Sequence, residues 1–322
     1  MTEFSIINRY CKNIGRAHPE TQIGVGDDAA VVQIPAGMQL AVSVDTMVAG
    51  VHFFADTNPA KIANKLLAVN LSDMAAMGAQ PKWATLALTM PSIEEHWLTK
   101  FSHSLDKSAK QYGVELIGGD TSQGPLVLSL QILGLVQNGE ALTRAAAQPG
   151  DDLYVSGCLG DAALALAGVT GEVSLVKEVQ TQLQQFLDTP VPQIALGQKI
   201  RGLANACIDL SDGLVADLGH ICKQSKVAMH IDVDQIPLST HYENYLSANG
   251  TLHYALSAGD DYQLAFTATQ NFREKFSAIA ESLNIRLTRI GNVKESDIHE
   301  VVLHKGAQRF TLEQNSGFQH FL

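Results

Sequence analysis

The apolar positions along the first 140 residues change period several times, and each change marks an element. Phe4, Ile7 and Cys11 recur at helical spacing, which predicts a short amphipathic helix from Glu3 to Ile14. In "GVGDDAAVVQIPAGMQLAVSVDT" the run "AAVVQI" stops at Pro35 and Gly37 and "LAVSVDT" follows, a pattern that predicts a hairpin. That pairing would bring Asp27 and Asp28, at the start of one strand, beside Asp45 at the end of its neighbour. The next segment opens with Asn58 as a helix cap and Pro59 at the first helical position, and it closes at Gly78 and Pro81. Ile62, Leu66 and Val69 form its apolar stripe, and Asp73 falls on the same stripe. A buried carboxylate is costly without compensation, so Asp73 calls for a cation, a proton or a water-filled cleft.

"WATLALTMP" then reads as a strand, Ser92 to Tyr112 as a helix, and "GVELIGGDTS" and "LVLSLQILGLV" as strands. The stretch "LTRAAAQPGDD" marks a boundary, giving domains 1–148 and 149–322. Beyond it the strand "DLYVSG", the helix "LGDAALALAG" and a helical "LVKEVQTQLQQFL" follow. "ALGQKIRGLANACIDLSDGLVADLGHICKQS" reads as helix, short strand, loop and helix, with Ser211 as helix cap and Leu214, Leu218 and Ile221 as the stripe. "AMHIDVDQIP", "YQLAFTAT", "RLTRIGNV" and "VVLHK" are further strands, with a helix from Phe272 to Leu283.

At 322 residues the chain exceeds what one core usually organises, which agrees with two domains. A net charge of −11 repels nucleic acid and anionic membrane surfaces, so phosphates would have to be met through cations. The four cysteines, Cys11, Cys158, Cys207 and Cys222, form no CxxC pair, so they suggest neither a zinc site nor a disulfide framework. The stretch "MTEFSIINRY" lacks the basic-then-apolar layout expected of a signal peptide, and no apolar run approaches the ~20 residues needed to span a membrane, so the expected location is the cytoplasm.

The spacing Gly24, Gly26, Ala29 fits a dinucleotide fingerprint, but the residues after it are strand-like and end at a proline, where that loop must open a helix. Aspartates recur instead at element ends: Asp27, Asp28, Asp45, Asp73, Asp120, Asp209 and Asp212. A single Asp beside Gly or Ser is ordinarily a turn former or cap. Taken together, so many carboxylates at strand ends and helix starts suit several Mg²⁺ ions shared with substrate phosphates. No GxxxxGK[ST] is present, so metal would replace the P-loop lysine in neutralising phosphate charge.

In order, "GVGDDAAVV", "VSVDTMVAGVHF", "LAVNLSDMAAMGA", "LIGGDTSQGP", "ALTRAAAQPGD" and "IDLSDGLVADLGHI" resemble the thiamine-monophosphate kinase family of the aminoimidazole ribonucleotide synthetase-like superfamily, over nearly the whole chain. The resemblance implies an α/β N-terminal half whose strands form a barrel across a homodimer, an α+β C-terminal half, and ATP and Mg²⁺ ions in the cleft between them. It implies that Asp28, Ser43, Asp45, Asp73, Asp120, Asp209 and Asp212 are metal ligands, with the Val44 backbone nearby and Asp27 in support. Gly119, Asp120, Arg144 and Ser211 match nucleotide contacts, and His52 matches a substrate contact. "LSAGDDYQL" stands where the family usually reads GGEDYEL, so Asp260 takes the place of a substrate-contacting Glu and is one methylene shorter. "SGFQHF" puts Phe318 where the family sets an aromatic side chain against the thiamine moiety.

The implied reaction is in-line transfer of the ATP γ-phosphoryl group to thiamine monophosphate, the last step of thiamine diphosphate biosynthesis. It uses a metal cluster with no covalent nucleophile or general base. Two other readings remain at this stage. One is a superfamily relative acting on a purine intermediate or on selenide, the latter disfavoured by the absence of Cys or selenocysteine in an N-terminal glycine-rich loop. The other is a nucleotide-sensing or metal-binding protein without turnover.

Overall fold

The computed structural model describes residues 3–248, 250–312 and 317. Phe318, expected against the thiamine moiety, lies outside the described residues. Two compact units emerge, one from Met1–Met74 with Ala79–Gly139 and one from Ala75–Gly78 with Glu140–Leu322.

The first unit begins with α1 (Glu3–Ile6), which widens into a π turn over Ile7–Cys11 and does not continue as one helix to Ile14. The chain leaves the helix there to join the sheet: Leu116 N–H donates to Ile14 O at 3.1 Å and Arg16 N–H to Val114 O at 2.8 Å. The expected hairpin does not form either. β1 (Thr21–Ile23) pairs with β2 (Val31–Val32), whereas β3 (Met38–Val48) pairs along its whole length with a later strand. The physical reason is packing: Ala30, Val32, Ile34 and Met38 lie against buried Trp83, Ile117 and Leu135, so the "AAVVQI" run covers apolar surface and does not extend the sheet beside β3.

α2 (Pro59–Ala76) follows, with Asn58 Oδ1 accepting from Ala60 N–H at 3.0 Å. β4 (Gln80–Met90), α3 (Glu95–Tyr112), β5 (Glu115–Gln123) and β6 (Val127–Gln137) complete the unit. Among the described residues the main sheet runs β3-β6-β4-β5, with β4 and β5 parallel and the other pairs antiparallel. α2 is buried well beyond its predicted stripe, since Ala63, Leu67, Ala68, Leu71 and Met74 are covered along with Ile62, Leu66 and Val69.

The second unit holds β7 (Asp152–Ser156), α4 (Asp161–Thr170), α5 (Lys177–Asp188), α6 (Ile194–Ile200), β8 (Ala206–Asp209), α7 (Leu214–Ser225) and β9 (Ala228–Asp232). Then come α8 (Thr240–Ser247), α9 (His253–Leu256), β10 (Leu264–Ala268), α10 (Arg273–Leu283), β11 (Leu287–Lys294), β12 (Val301–Lys305) and β13 (Gln308–Phe310). Its sheet, among the described residues, orders as β13-β12-β9-β11-β7-β10-β8. Both faces are covered around β7: Leu153 and Val155 join one apolar cluster with α4 and α7, and Tyr154 joins the other with Phe266 and Phe276. At the start of β7, burial alone would raise the Asp152 pKa. Arg273, at 2.6 and 2.8 Å, and Arg289, at 3.2 Å, reverse that and hold it low. Among the described residues no helix is long and apolar enough to cross a membrane.

Candidate active site

In the first unit the alternation of β3 sorts its residues by face. Leu40, Val42 and Val44 point one way and are 40%, 52% and 58% exposed, while Ser43 and Asp45 are half-buried on the other. Ser43 donates its hydroxyl to Asp73 Oδ2 at 2.5 Å, so the strand and α2 present these two side chains together. Asp73 is only half-buried, consistent with a carboxylate that borders solvent.

On β5, Gly119 lies in register with Leu86 and Asp120 with Ala87. A side chain at Gly119 would overlap the Leu86 carbonyl oxygen, so only glycine permits this approach of the two parallel strands beside Asp120. Asp120 is exposed and accepts from Ser122 Oγ at 2.7 Å. Asp27 and Asp28 lie exposed in the loop before β2, where Asp28 N–H donates to Asp27 Oδ1 at 2.9 Å. Because β2 does not pair with β3, the strand register that would have set them beside Asp45 is not formed.

His52 sits in the turn after β3. Its Nδ1 accepts from Val48 N–H at 3.0 Å, which fixes the neutral ring as the tautomer protonated at Nε2. Lys65, a residue the pattern reading passed over, is 5% exposed on α2 and donates to the His52 carbonyl oxygen at 3.4 Å.

In the second unit β8 delivers buried Asp209 to a loop carrying Ser211 and Asp212, after which α7 begins. Ser211 is not the cap of that helix, as its spacing suggested. Asp217, from the first turn of α7, accepts from both Asp212 N–H and Gly213 N–H at 3.1 Å. Asp217 is 3% exposed, and burial, followed by the charges of Asp212 and Asp209, pushes its pKa up to about 7. Its signal was present in the sequence: three residues after Leu214, it occupies the apolar stripe just as Asp73 does.

A second loop, residues 257–263, packs backbone to backbone on this one. Asp260 N–H donates to Ser211 O at 2.9 Å, Tyr262 N–H to Leu210 O at 2.8 Å, and Leu210 N–H to Gln263 O at 2.8 Å. A side chain at Gly259 would overlap the Ser211 carbonyl oxygen. Arg144 is exposed beside β8, its carbonyl held by Ser225 Oγ at 2.8 Å and its neighbour Thr143 O accepting from Cys207 N–H at 3.0 Å.

The donor set selects among metals. The acidic residues and Ser43 offer only oxygen, the His52 Nδ1 lone pair is already engaged, and burial pushes the Cys207 and Cys222 thiols away from thiolate. Such a set suits a hard divalent ion of the Mg²⁺ type. Among the described residues no three His, Cys, Asp or Glu side chains gather closely enough to hold an ion unaided. Mg²⁺ commonly takes one or two carboxylates and completes its shell with water and phosphate oxygens.

Family models of the AIR synthase related proteins match both halves, the N-terminal domain over residues 26–136 and the C-terminal domain over residues 148–304. The chain is 43% identical to the thiamine-monophosphate kinase of Escherichia coli strain K12, over 99% of its own length and 98% of that protein. The crystal structure of thiamine-monophosphate kinase from Stenotrophomonas maltophilia K279a is 44% identical, with a TM-score of 0.83 over 89% of this chain and 92% of that one. AaThiL complexed with AMPPCP and TMP is 31% identical, with a TM-score of 0.78 over 92% of each chain. The chain therefore belongs to the AIR synthase related proteins and, among them, to the thiamine-monophosphate kinase family.

Proposed function

We propose that the chain transfers the γ-phosphoryl group of ATP to the phosphate of thiamine monophosphate, giving thiamine diphosphate and ADP. The observation that carries this reading is the end-to-end likeness to the Escherichia coli kinase, 43% identity over 99% of the chain. In this reading Asp28, Ser43, Asp45, Asp73 and Asp120, with the Val44 backbone, and Asp209 and Asp212 hold Mg²⁺. Asp27 supports Asp28 through the hydrogen bond to its amide. Gly119, Asp120, Arg144 and Ser211 contact ATP, and His52, Asp260 and Phe318 contact the acceptor.

Bound Mg²⁺ supplies neutralisation of phosphate charge, which this acidic chain does not supply in carboxylates alone. The chain's own residues do the positioning. Asp217 holds the amides at the start of α7 in place, and Ser43 fixes the Asp73 carboxylate. Incubation with ATP, Mg²⁺ and thiamine monophosphate should yield thiamine diphosphate and ADP in equal amounts, and excess EDTA should abolish both. Undiminished turnover in metal-free buffer would overturn the metal assignment.

The same reading places a second copy of this chain on β3. A long edge strand with an exposed apolar stripe is a liability unless it is covered, and Leu40, Val42 and Val44 form such a stripe. A homodimer whose paired strands close a barrel would cover it. Val42→Glu should leave the fold intact and shift the protein from dimer to monomer in sedimentation at micromolar concentration. A monomeric parent protein would remove the proposal.

A further inference from the structure

The loop that carries Asp260 is wound in a way that its sequence alone does not favour. Asp260 has φ 70° and Tyr262 has φ 48°, both in the left-handed region that side chains other than glycine rarely adopt. Asp261 stands between them. Its Oδ1 accepts from Gly160 N–H at 2.8 Å, and its Oδ2 is buried with no hydrogen-bond partner. Gly160, at φ 85°, sits in a closely packed corner, since a side chain there would meet Tyr242 Cε2 at 2.6 Å and Ala255 Cα at 2.8 Å. The Asp261 carboxyl is thus tied to a closely packed corner at the start of α4, while the residues on either side take left-handed angles beside the loop after β8.

We infer that Asp261 is a positioning residue: its hydrogen bond to Gly160 holds the twisted 257–263 loop against residues 210–212 and so sets the place of Asp260. The consequence for Asp260 is visible in its other ties. Its amide donates to Ser211 O at 2.9 Å, and its Oδ1 accepts from the Tyr262 hydroxyl at 3.0 Å. Releasing Asp261 would let both flanking residues relax toward ordinary backbone angles and would break that arrangement. What Asp261 contributes is the acceptor to Gly160 and not a charge. Burial raises its pKa well above the usual carboxylate range, and the charges of Asp161, Asp260 and Asp217 add to the rise, against the Gly160 hydrogen bond that lowers it. The role of Asp260 toward the acceptor rests on the proposed function.

The test compares Asp261→Ala and Asp261→Asn in the full chain by amide hydrogen exchange, thermal unfolding and steady-state kinetics. Exchange at residues 210–213 and 257–263 is independent of any activity, so it tests the positioning even if thiamine monophosphate proves not to be the acceptor. With Asp261→Ala, amides 260 and 262 should lose protection by about tenfold or more. The KM for thiamine monophosphate should rise about tenfold with kcat changed less than about threefold, as the loss of one fixed hydrogen bond and its dependents allows.

Asp261→Asn keeps an acceptor oxygen and should restore protection and KM to within about threefold of the parent protein. If Asp261→Ala does not fold, Asp261→Ser, whose hydroxyl is one bond shorter than the carboxyl oxygen that meets Gly160, replaces it. Unchanged exchange and KM in the Ala or Ser variant would overturn the inference. So would an Asn variant that folds normally yet is as impaired as Ala, since that outcome requires the charge.

Discussion

Asp73→Asn should lower turnover by at least ~100-fold, corresponding to about 3 kcal/mol or more of lost transition-state stabilisation, while the thermal midpoint stays close to that of the parent protein. The asymmetry follows from the geometry. Asparagine is isosteric and can still accept the Ser43 hydroxyl proton, so the 2.5 Å contact between β3 and α2 survives in kind. The surrounding helix is packed by Leu66, Val69 and Met74, none of which depends on the Asp73 charge. What asparagine cannot replace is a formal negative charge for a divalent ion, and phosphoryl transfer depends on charge neutralisation. Ser43→Ala makes a useful companion, because it removes the hydroxyl and keeps the charge, and its loss should be much smaller. Near-normal turnover of Asp73→Asn would return Asp73 to a packing role.

How far the sequence could be read depended on how local the deciding physics was. The strands of the main sheets and the longer helices were legible because each carries its own period and its own stops, as Asn58, Pro59 and Gly78 do around α2. The β1–β2 pairing was not, because whether "AAVVQI" joins β3 or folds over Trp83 depends on tertiary burial that strand propensity does not encode. α8 and α9 were missed for a related reason. Each is short, and the Ser239 cap and the burial of Tyr242 matter more to them than amphipathic period does. At the site, Asp73 announced itself as a carboxylate on an apolar stripe. Asp217 carried the same anomaly, three residues after Leu214, but it stands beside the more conspicuous Asp209 and Asp212. Asp261 offered no periodic signal, since its importance lies in the left-handed angles of its two neighbours, and those appear only in three dimensions.

Unphosphorylated thiamine should be a poor acceptor, with kcat/KM at least ~100-fold below that of thiamine monophosphate, the scale associated with supplying or lacking a general base. The phosphate of thiamine monophosphate is largely ionised near neutral pH, the second pKa of a phosphate monoester being about 6, so its attacking oxygen has no proton to lose. The hydroxyl of thiamine does, and the imidazole assigned to the acceptor does not provide for removing it. His52 is poorly disposed to act as a base, because its Nδ1 lone pair is committed to Val48 N–H and the neutral ring therefore carries its proton on Nε2. Thiamine would also lack the charged oxygens through which metal-neutralised binding energy reaches the reacting centre, so the loss should fall on kcat as well as on KM. It should still compete weakly with thiamine monophosphate, since ring contacts do not require the phosphate. The check is to incubate the protein with ATP, Mg²⁺ and either compound and to resolve the thiamine esters by chromatography. Equal phosphorylation of thiamine, or no diphosphate from thiamine monophosphate, would overturn the assignment and move the acceptor to a different class of phosphorylated compound.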